Sequence, residues 1–165
     1  MTDIFLNEKL KASYMQDFNS LLKNDVKFWE IDTEFLKEKL ININDNKNIQ
    51  TIDCRYGIQG PDDSSSYLTF AFTKQVELNI FRSILPELLR DFNINSAEQS
   101  TCFYQYSKPR DNRNHNPKSK IYGMSCRDNK DHYRINAIRI NLDTLDDAIK
   151  KRFWTEISLL LSGLK

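Results

Sequence analysis

The sequence is poor in the residues that build several common kinds of catalytic site. Its 165 residues include only four glycines, four prolines and three cysteines. So few glycines leave little for a loop that cradles phosphates, and no Walker motif occurs. No serine stands in a G-x-S-x-G elbow, and no cysteine is next to a histidine. We therefore expect a binding protein more than an enzyme.

The cysteines and the first residues of the sequence indicate in which cellular compartment the protein is expected. Cys54, Cys102 and Cys126 are odd in number, show no C-x-x-C or metal-finger spacing, and lie in apolar or strand-like runs typical of buried thiols. The start, MTDIFLNEKLKAS, carries acids and lysines where a signal peptide needs an apolar core. No apolar run approaches the roughly 18 residues of a membrane span. The sequence predicts a cytoplasmic protein that does not enter a membrane, with no metal and no cofactor.

The length favours a single domain over residues 1–165, because two domains of half this size would each have a small core. Apolar periodicity predicts helices near 3–23, 33–41, 76–92 and 145–164, with Asp32 or Thr33 as cap of the second. Pro86 should kink or break the third. Alternation predicts strands near 49–56, 67–73, 101–106, 120–126 and 133–142. The order α-α-β-β-α-β-β-β-α indicates an α+β fold, with an antiparallel sheet of about five strands covered on one side by helices.

The first strand has one apolar side and one polar side. Ile52, Cys54 and Tyr56 alternate with Thr51, Asp53 and Arg55. We expect the polar side, extended by Tyr67 and Thr69, to face solvent or to form the floor of a binding surface. In the last helix, Trp154 lies beside the apolar stripe, and a wide helix face would bury it.

The strongest local signal is the polar run KPRDNRNHNPKSK at residues 108–120, between two predicted strands. The net charge is the number of lysines and arginines minus the number of aspartates and glutamates. It is 11 − 16 = −5 for residues 1–107, 9 − 3 = +6 for 108–139, and 4 − 4 = 0 for 140–165. We call residues 108–139 the basic block. A polar loop held between ordered strands is a common position for binding residues.

We interpret the basic block as a surface for a protein partner such as a toxin, an effector or an enzyme target. Complementary charge speeds association with such a partner. The function expected first is an inhibitor or an immunity or antitoxin-type protein. The basic loop would occupy an acidic cleft, or the acidic remainder would cover a basic site. The predicted partner-binding residues are Lys108, Arg110, Arg113, His115, Lys118, Lys120, Arg127 and Arg134.

A nucleic-acid-binding or RNA-cleaving protein is the alternative. Basic side chains neutralise phosphates, and tyrosines 104, 106 and 122 at the strand ends would stack on bases. For cleavage, His115 and His132 would act as the general acid and base, and Lys118, Lys120 or Arg134 would stabilise the charge of the developing phosphorane. Two possible metal sites are less favoured. The spacing of His115, Asn129 and His132 does not match a known metal-binding motif. Of aspartates 53, 62 and 63, the last two lie in PDDSSS, a run of residues common in turns.

The helix–strands–helix–strands–helix order also resembles that of type III secretion chaperones. This resemblance is in element order alone, and no motif supports it. It implies a chaperone for a secreted protein as a second alternative. The basic block departs from the acidic character typical of that family. The sequence does not indicate the oligomeric state.

Overall fold

The computed structural model describes residues 3–23, 33–57, 66–92, 101–107, 134–142, 144 and 146–165, and these form an α+β fold as expected. The helices are α1 (Glu8–Lys23), α2 (Glu34–Asn44), α3 (Glu77–Asn79), α4 (Leu85–Asp91) and α5 (Asp147–Ser162). The strands are β1 (Asp3–Ile4), β2 (Ile49–Arg55), β3 (Ser66–Phe72), β4 (Thr101–Ser107) and β5 (Arg134–Leu142). The predicted strand at 120–126 lies outside the described residues.

Side-chain caps set where the first two helices begin. The Oδ1 of Asn7 accepts a hydrogen bond of 2.9 Å from the backbone N–H of Leu10, so α1 begins at Glu8 and not near residue 3. The residues before this cap belong to the sheet instead, and the N–H of Leu6 donates to the carbonyl of Phe72. For α2, Thr33 is the cap, since its Oγ1 accepts 3.0 Å from the N–H of Leu36.

The sheet is built around β5 and β3. Strand β5 pairs antiparallel with β4 along one side and with β3 along the other, and β2 pairs antiparallel with β3. Strand β1 pairs in parallel with the first two residues of β5. These two residues also pair with β4, so β1 and β3 share the same side of β5, one after the other. Among the described strands, β1, β2 and β4 each pair with a single strand and are edge strands.

A bulge in β2 changes which side chains share a face. Thr51 is opposite Phe70 whereas Asp53 is opposite Thr69, so Ile52 is the extra residue. A one-residue shift moves the preceding side chains to the other face. The prediction for Thr51 and Ile52 was therefore wrong: Thr51 lies on the face of Phe70, and Ile52 packs with Ala71 and Ile135 on the opposite face.

Helix side chains pack on both faces of the sheet, which differs from the expected one-sided packing. All seven residues of β3 are buried. One face packs on α2, α4, α5 and the turn before α4, and its largest members include Phe70, Phe72, Phe153 and Trp154. On the other face, Leu10 and Tyr14 of α1 cover Ala71 and Ala137. On this second face Ala71 is covered by α1 and Tyr67 by the guanidinium of Arg139, so β3 is buried on both sides.

The α-helical pattern of the third predicted helix is interrupted just before Pro86, but Asn79, Ile80, Ile84 and Leu85 all keep right-handed helical backbone angles, so the helix is not broken. A π turn at Ile80–Ile84 separates α3 from α4, and the N–H of Leu85 donates to the carbonyl of Ile80. Proline has no N–H and crowds the carbonyl four residues before it. The wider turn relieves that crowding, and Pro86 then lies in the first turn of α4, where its missing N–H costs little.

Trp154 is fully buried, as expected from a wide helix face, and its ring packs edge-on against Phe153. Its Nε1 has no hydrogen-bond partner within the part of the chain that the structure describes. Trp29 lies outside the described residues. None of the described helices combines the length and the apolar character needed to cross a membrane.

Candidate binding surface

Most of the predicted partner-binding residues lie outside the described residues. This applies to Lys108, Arg110, Arg113, His115, Lys118, Lys120, Arg127 and also His132. Arg134 is placed through its backbone, which begins β5 and pairs with Ser107 at the end of β4. Ser107 and Arg134, which flank residues 108–133 in the sequence, are therefore opposite each other in the sheet.

A polar patch on the sheet face is better defined, and we call it the sheet patch: Arg55, Tyr67, Thr69, Arg139 and Asn141. Cross-strand pairing places these side chains on one face, since Arg55 and Asn141 both lie opposite Tyr67 and Arg139 lies opposite Thr69. The guanidinium of Arg139 is 4.0 Å from the centre of the Tyr67 ring. Its Nε also donates a bond of 3.0 Å to Oδ1 of Asn141.

The sheet patch combines positive charge with an aromatic ring. Tyr67 and Thr69 are buried, while Arg55, Arg139 and Asn141 are half-buried. The alternation in the sequence predicted Arg55, Tyr67 and Thr69 but missed Arg139 and Asn141. These could have been found from the same alternation in the last strand, where Ile138 and Ile140 are the apolar partners. A guanidinium stacked on tyrosine is pre-oriented for recognition of carboxylates.

A second polar cluster joins the end of β2 to the start of α5. The hydroxyl of Tyr56 donates 2.6 Å to Oδ1 of Asp147. Lys150 is only 3% exposed, and its Nζ donates 2.7 Å to the carbonyl of Gly57, whose φ of 86° suits glycine. The Tyr56 hydrogen bond, followed by the nearby lysines 150 and 151, lowers the pKa of Asp147. The tyrosine donates a hydrogen bond to the carboxylate and the lysine donates one to a carbonyl oxygen, so these contacts tie the end of β2 to the start of α5.

Sequence reasoning missed Lys150 as a buried group. A signal was present, because Lys150 precedes Phe153 and Trp154 by three and four residues and therefore shares the buried helix face.

The outer edge of β2 is closed by contacts from within the chain. The N–H of Ile49 donates to the carbonyl of Asn46. The carbonyl of Ile49 accepts a hydrogen bond of 2.6 Å from Nζ of Lys11. The N–H of Thr51 donates to Oδ1 of Asn44 at 2.8 Å, and its C=O accepts from Nε2 of Gln50 at 3.1 Å. Exposed strand edges pair readily with other chains. These four contacts cover the first half of this edge.

Lys11 also donates 2.7 Å to the carbonyl of Asn44, the last residue of α2. Loss of water around the half-buried amine lowers its pKa to about 8, and attraction by Asp45 opposes that change. Among the described residues, Lys11 is thus an amine held between two carbonyl oxygens with an unusually low pKa.

Three carboxylates meet between α4 and α5, and we call them the acidic cluster: Glu87, Asp91 and Glu156. One oxygen from each lies within 4.8 Å of the others, and no other group of this kind occurs in the described ranges. Burial, together with Asp91 and Glu87, raises the pKa of Glu156. Oxygen ligands of this kind suit a hard cation, but all three groups are exposed or half-buried, as surface carboxylates commonly are.

Leu78 of α3 and Phe81 of the π turn, three residues apart in the sequence, are large apolar side chains that are exposed, and we call them the apolar patch. Their exposed fractions are 59% and 42%. Phe81 packs edge-on against buried Phe72 with ring centres 6.2 Å apart, and Phe72 makes the same kind of contact with Phe5. The exposed ring is therefore supported by a fixed aromatic base.

Comparison with known proteins identifies no relative: no family model, no curated protein and no solved structure matches this chain.

Proposed function

We propose that this chain is a cytoplasmic, non-catalytic protein that binds a protein partner and acts as an inhibitor or an immunity or antitoxin-type protein. The observation that carries the proposal is the apolar patch. Aromatic side chains such as Phe81 are enriched at the centre of protein interfaces, and the neighbouring exposed Leu78 would add apolar area to bury. The Phe72 contact holds the Phe81 ring in place, so binding costs little side-chain entropy.

The charge distribution supports the same proposal. The basic block carries +6, and the 107 residues before it carry −5. Charge separation of this size speeds encounter with a partner of complementary potential. Arg139 belongs to the basic block and is held on Tyr67 in the sheet patch. In this proposal the apolar patch supplies affinity, and the basic residues supply rate and orientation toward an acidic toxin, effector or enzyme.

The test is a capture experiment in the native host, with the partner identified and its affinity then measured with purified proteins. The variant Leu78→Ser with Phe81→Ser should lower affinity by about a hundredfold, because two anchors worth roughly 1–2 kcal/mol each are lost. Leu159→Ser is the matched control, since Leu159 is 69% exposed but lies on α5. Its affinity should stay within about twofold of the unaltered protein.

Two results would contradict the proposal. One is the recovery of no stoichiometric protein partner under conditions where the tagged chain is folded. The other is a partner whose affinity is lowered equally by the double variant and by Leu159→Ser, because the apolar patch would then have no special part in binding.

A further inference from the structure

The apolar patch lies where the helical hydrogen bonding changes its pattern. Leu78 is in α3, and Phe81 is in the π turn that follows it. Turns of this kind are rare and occur often at functional sites. The backbone keeps right-handed helical angles before and after the turn, so side chains about four residues apart lie on one side of this segment.

Two exposed cations flank Leu78 on that side. Lys74 precedes it by four residues, and Arg82 follows it by four. The Nζ of Lys74 is 2.7 Å from Oε1 of Glu77, but the lysine side chain is 72% exposed and the glutamate side chain only 26%. The lysine is therefore the outward charge of this ion pair. Arg82 forms no ion pair within the part of the chain that the structure describes.

We propose that the apolar patch binds an acidic amphipathic segment of the protein partner. Apolar side chains of that segment would cover Leu78 and Phe81, and carboxylates to either side would face Lys74 and Arg82. This inference rests on the proposed function, because it names the part of the partner that makes the contact.

The charges distinguish this occupant from two others. In a second copy that met the same segment in an antiparallel contact centred on Leu78, Lys74 of one copy would lie near Arg82 of the other, and like charges so placed oppose association. An anionic membrane would attract both cations but would repel the acidic cluster, whose Glu87 and Asp91 lie on α4 directly after the turn. A segment with a few carboxylates beside its apolar side chains meets neither conflict.

Titration of two synthetic peptides into the full, isotope-labelled chain tests the proposal. Both peptides form the same amphipathic helix with a stripe of leucines, and one carries glutamates beside the leucines where the other carries glutamines. NMR shifts of the amides of residues 74–82 give the two affinities. At low salt the glutamate peptide should bind about fivefold more tightly, because two exposed ion pairs are added. This advantage should shrink in about 1 M salt.

Variants of the chain assign the effect to the patch. Arg82→Gln should remove at least about half of the preference for the glutamate peptide, and should leave binding of the glutamine peptide within about twofold. Arg90→Gln is the matched control, since Arg90 is an exposed arginine two turns further along, beside Asp91, and it should change neither affinity. The double variant Leu78→Ser with Phe81→Ser should weaken binding of both peptides.

Three results would overturn this inference: no binding of either peptide, equal affinities for the two, or a preference that Arg82→Gln does not reduce. None of them contradicts the proposed function, which is tested separately by capture of a partner with the double variant. Sedimentation of the chain with phosphatidylserine vesicles, lost in Arg82→Gln, would instead assign the patch to a membrane surface. Self-association lost in the double variant would assign it to a second copy.

Discussion

The hydroxyl of Tyr56 donates a 2.6 Å hydrogen bond to Oδ1 of Asp147 and so joins the end of β2 to the first turn of α5. The carboxylate also lies 3.3 Å from Lys151. Both contacts favour the ionised form of Asp147, and the tyrosine is the larger cause of its lowered pKa. This contact links two elements that are 91 residues apart in the chain.

Replacing Tyr56 with phenylalanine should raise the pKa of Asp147. It should also make the stability of the protein vary less with pH in the acid range. Because the folded-state pKa is lowered, the contribution of this carboxylate is present above the unfolded-state pKa and is lost as pH falls through the folded-state value. The difference in melting temperature between the two proteins should therefore be largest at neutral pH and shrink at about pH 2. Lys151→Met serves as the smaller perturbation of the same group. A difference that does not vary with pH would contradict this account.

Asn44→Leu should both destabilise the protein and expose the edge of β2. Asn44 accepts from the N–H of Thr51 and donates to its hydroxyl, at 2.8 and 2.7 Å, and it is buried. Removing both contacts leaves a buried N–H without a partner, at a cost of about 1–3 kcal/mol in the free energy of unfolding. The uncovered edge should also promote concentration-dependent association.

The control for this change is Asn42→Leu, which makes the same substitution on the exposed side of α2. Chemical denaturation and sedimentation would be measured for both variants. Equal loss of stability in the two would show that the hydrogen bonds to Thr51 are not the cause.

Glu156→Gln should stabilise the protein at neutral pH by about 0.5 kcal/mol, the usual size of repulsion between neighbouring like charges. The pKa of Glu156 is raised in the folded state by burial and by the other two carboxylates of the acidic cluster. A raised carboxyl pKa means that stability falls as pH rises through the unfolded-state and then the folded-state pKa. The Glu156→Gln variant should thus be more stable than the unaltered protein at pH values above both pKa values of Glu156. The difference should vanish at pH values below both. Glu38→Gln, measured by the same urea titrations, should show no such step.

The nucleic-acid alternative predicts a strong salt dependence. If the basic block binds RNA, replacing Arg110, Arg113, Lys118 and Lys120 with alanine should weaken binding and flatten the slope of log affinity against log salt by roughly 3. Replacing Lys9, Lys23, Lys37 and Lys47 instead is the charge-matched control. Filter binding or fluorescence anisotropy at several salt concentrations would measure both. Negligible affinity for RNA at low salt would exclude this alternative.

Periodicity in the sequence predicted most of the elements, because helix and strand faces follow directly from where apolar side chains recur. It located α2, α5 and the strands β2, β3 and β5, and it placed an irregularity of the third predicted helix at Pro86, since proline acts on its own local backbone. It placed the start of α1 wrongly, because the cap at Asn7 competes with an apolar stripe that continues toward the first residues.

Contacts between distant residues could not be read in the same way. The bulge at Ile52 moved Thr51 to the other face, and only pairing with β3 reveals it. The carbonyl partners of Lys11 are 33 and 38 residues away, and nothing in its local sequence distinguishes it from an exposed lysine. The pKa of Lys11 therefore depends on packing that local pattern does not contain.

By itself, the sequence determined the α+β class, the element order from α2 onward within the described ranges, and the separation of charge between the basic block and the rest. These depend on composition and on local spacing. The tertiary structure alone decided that helices cover both faces of the sheet, that Arg139 stacks on Tyr67, and that Lys11, Asn44 and Gln50 close the edge of β2. The physical reason is that burial and hydrogen-bond partners are set by strand register and helix packing, which bring together residues far apart in the chain.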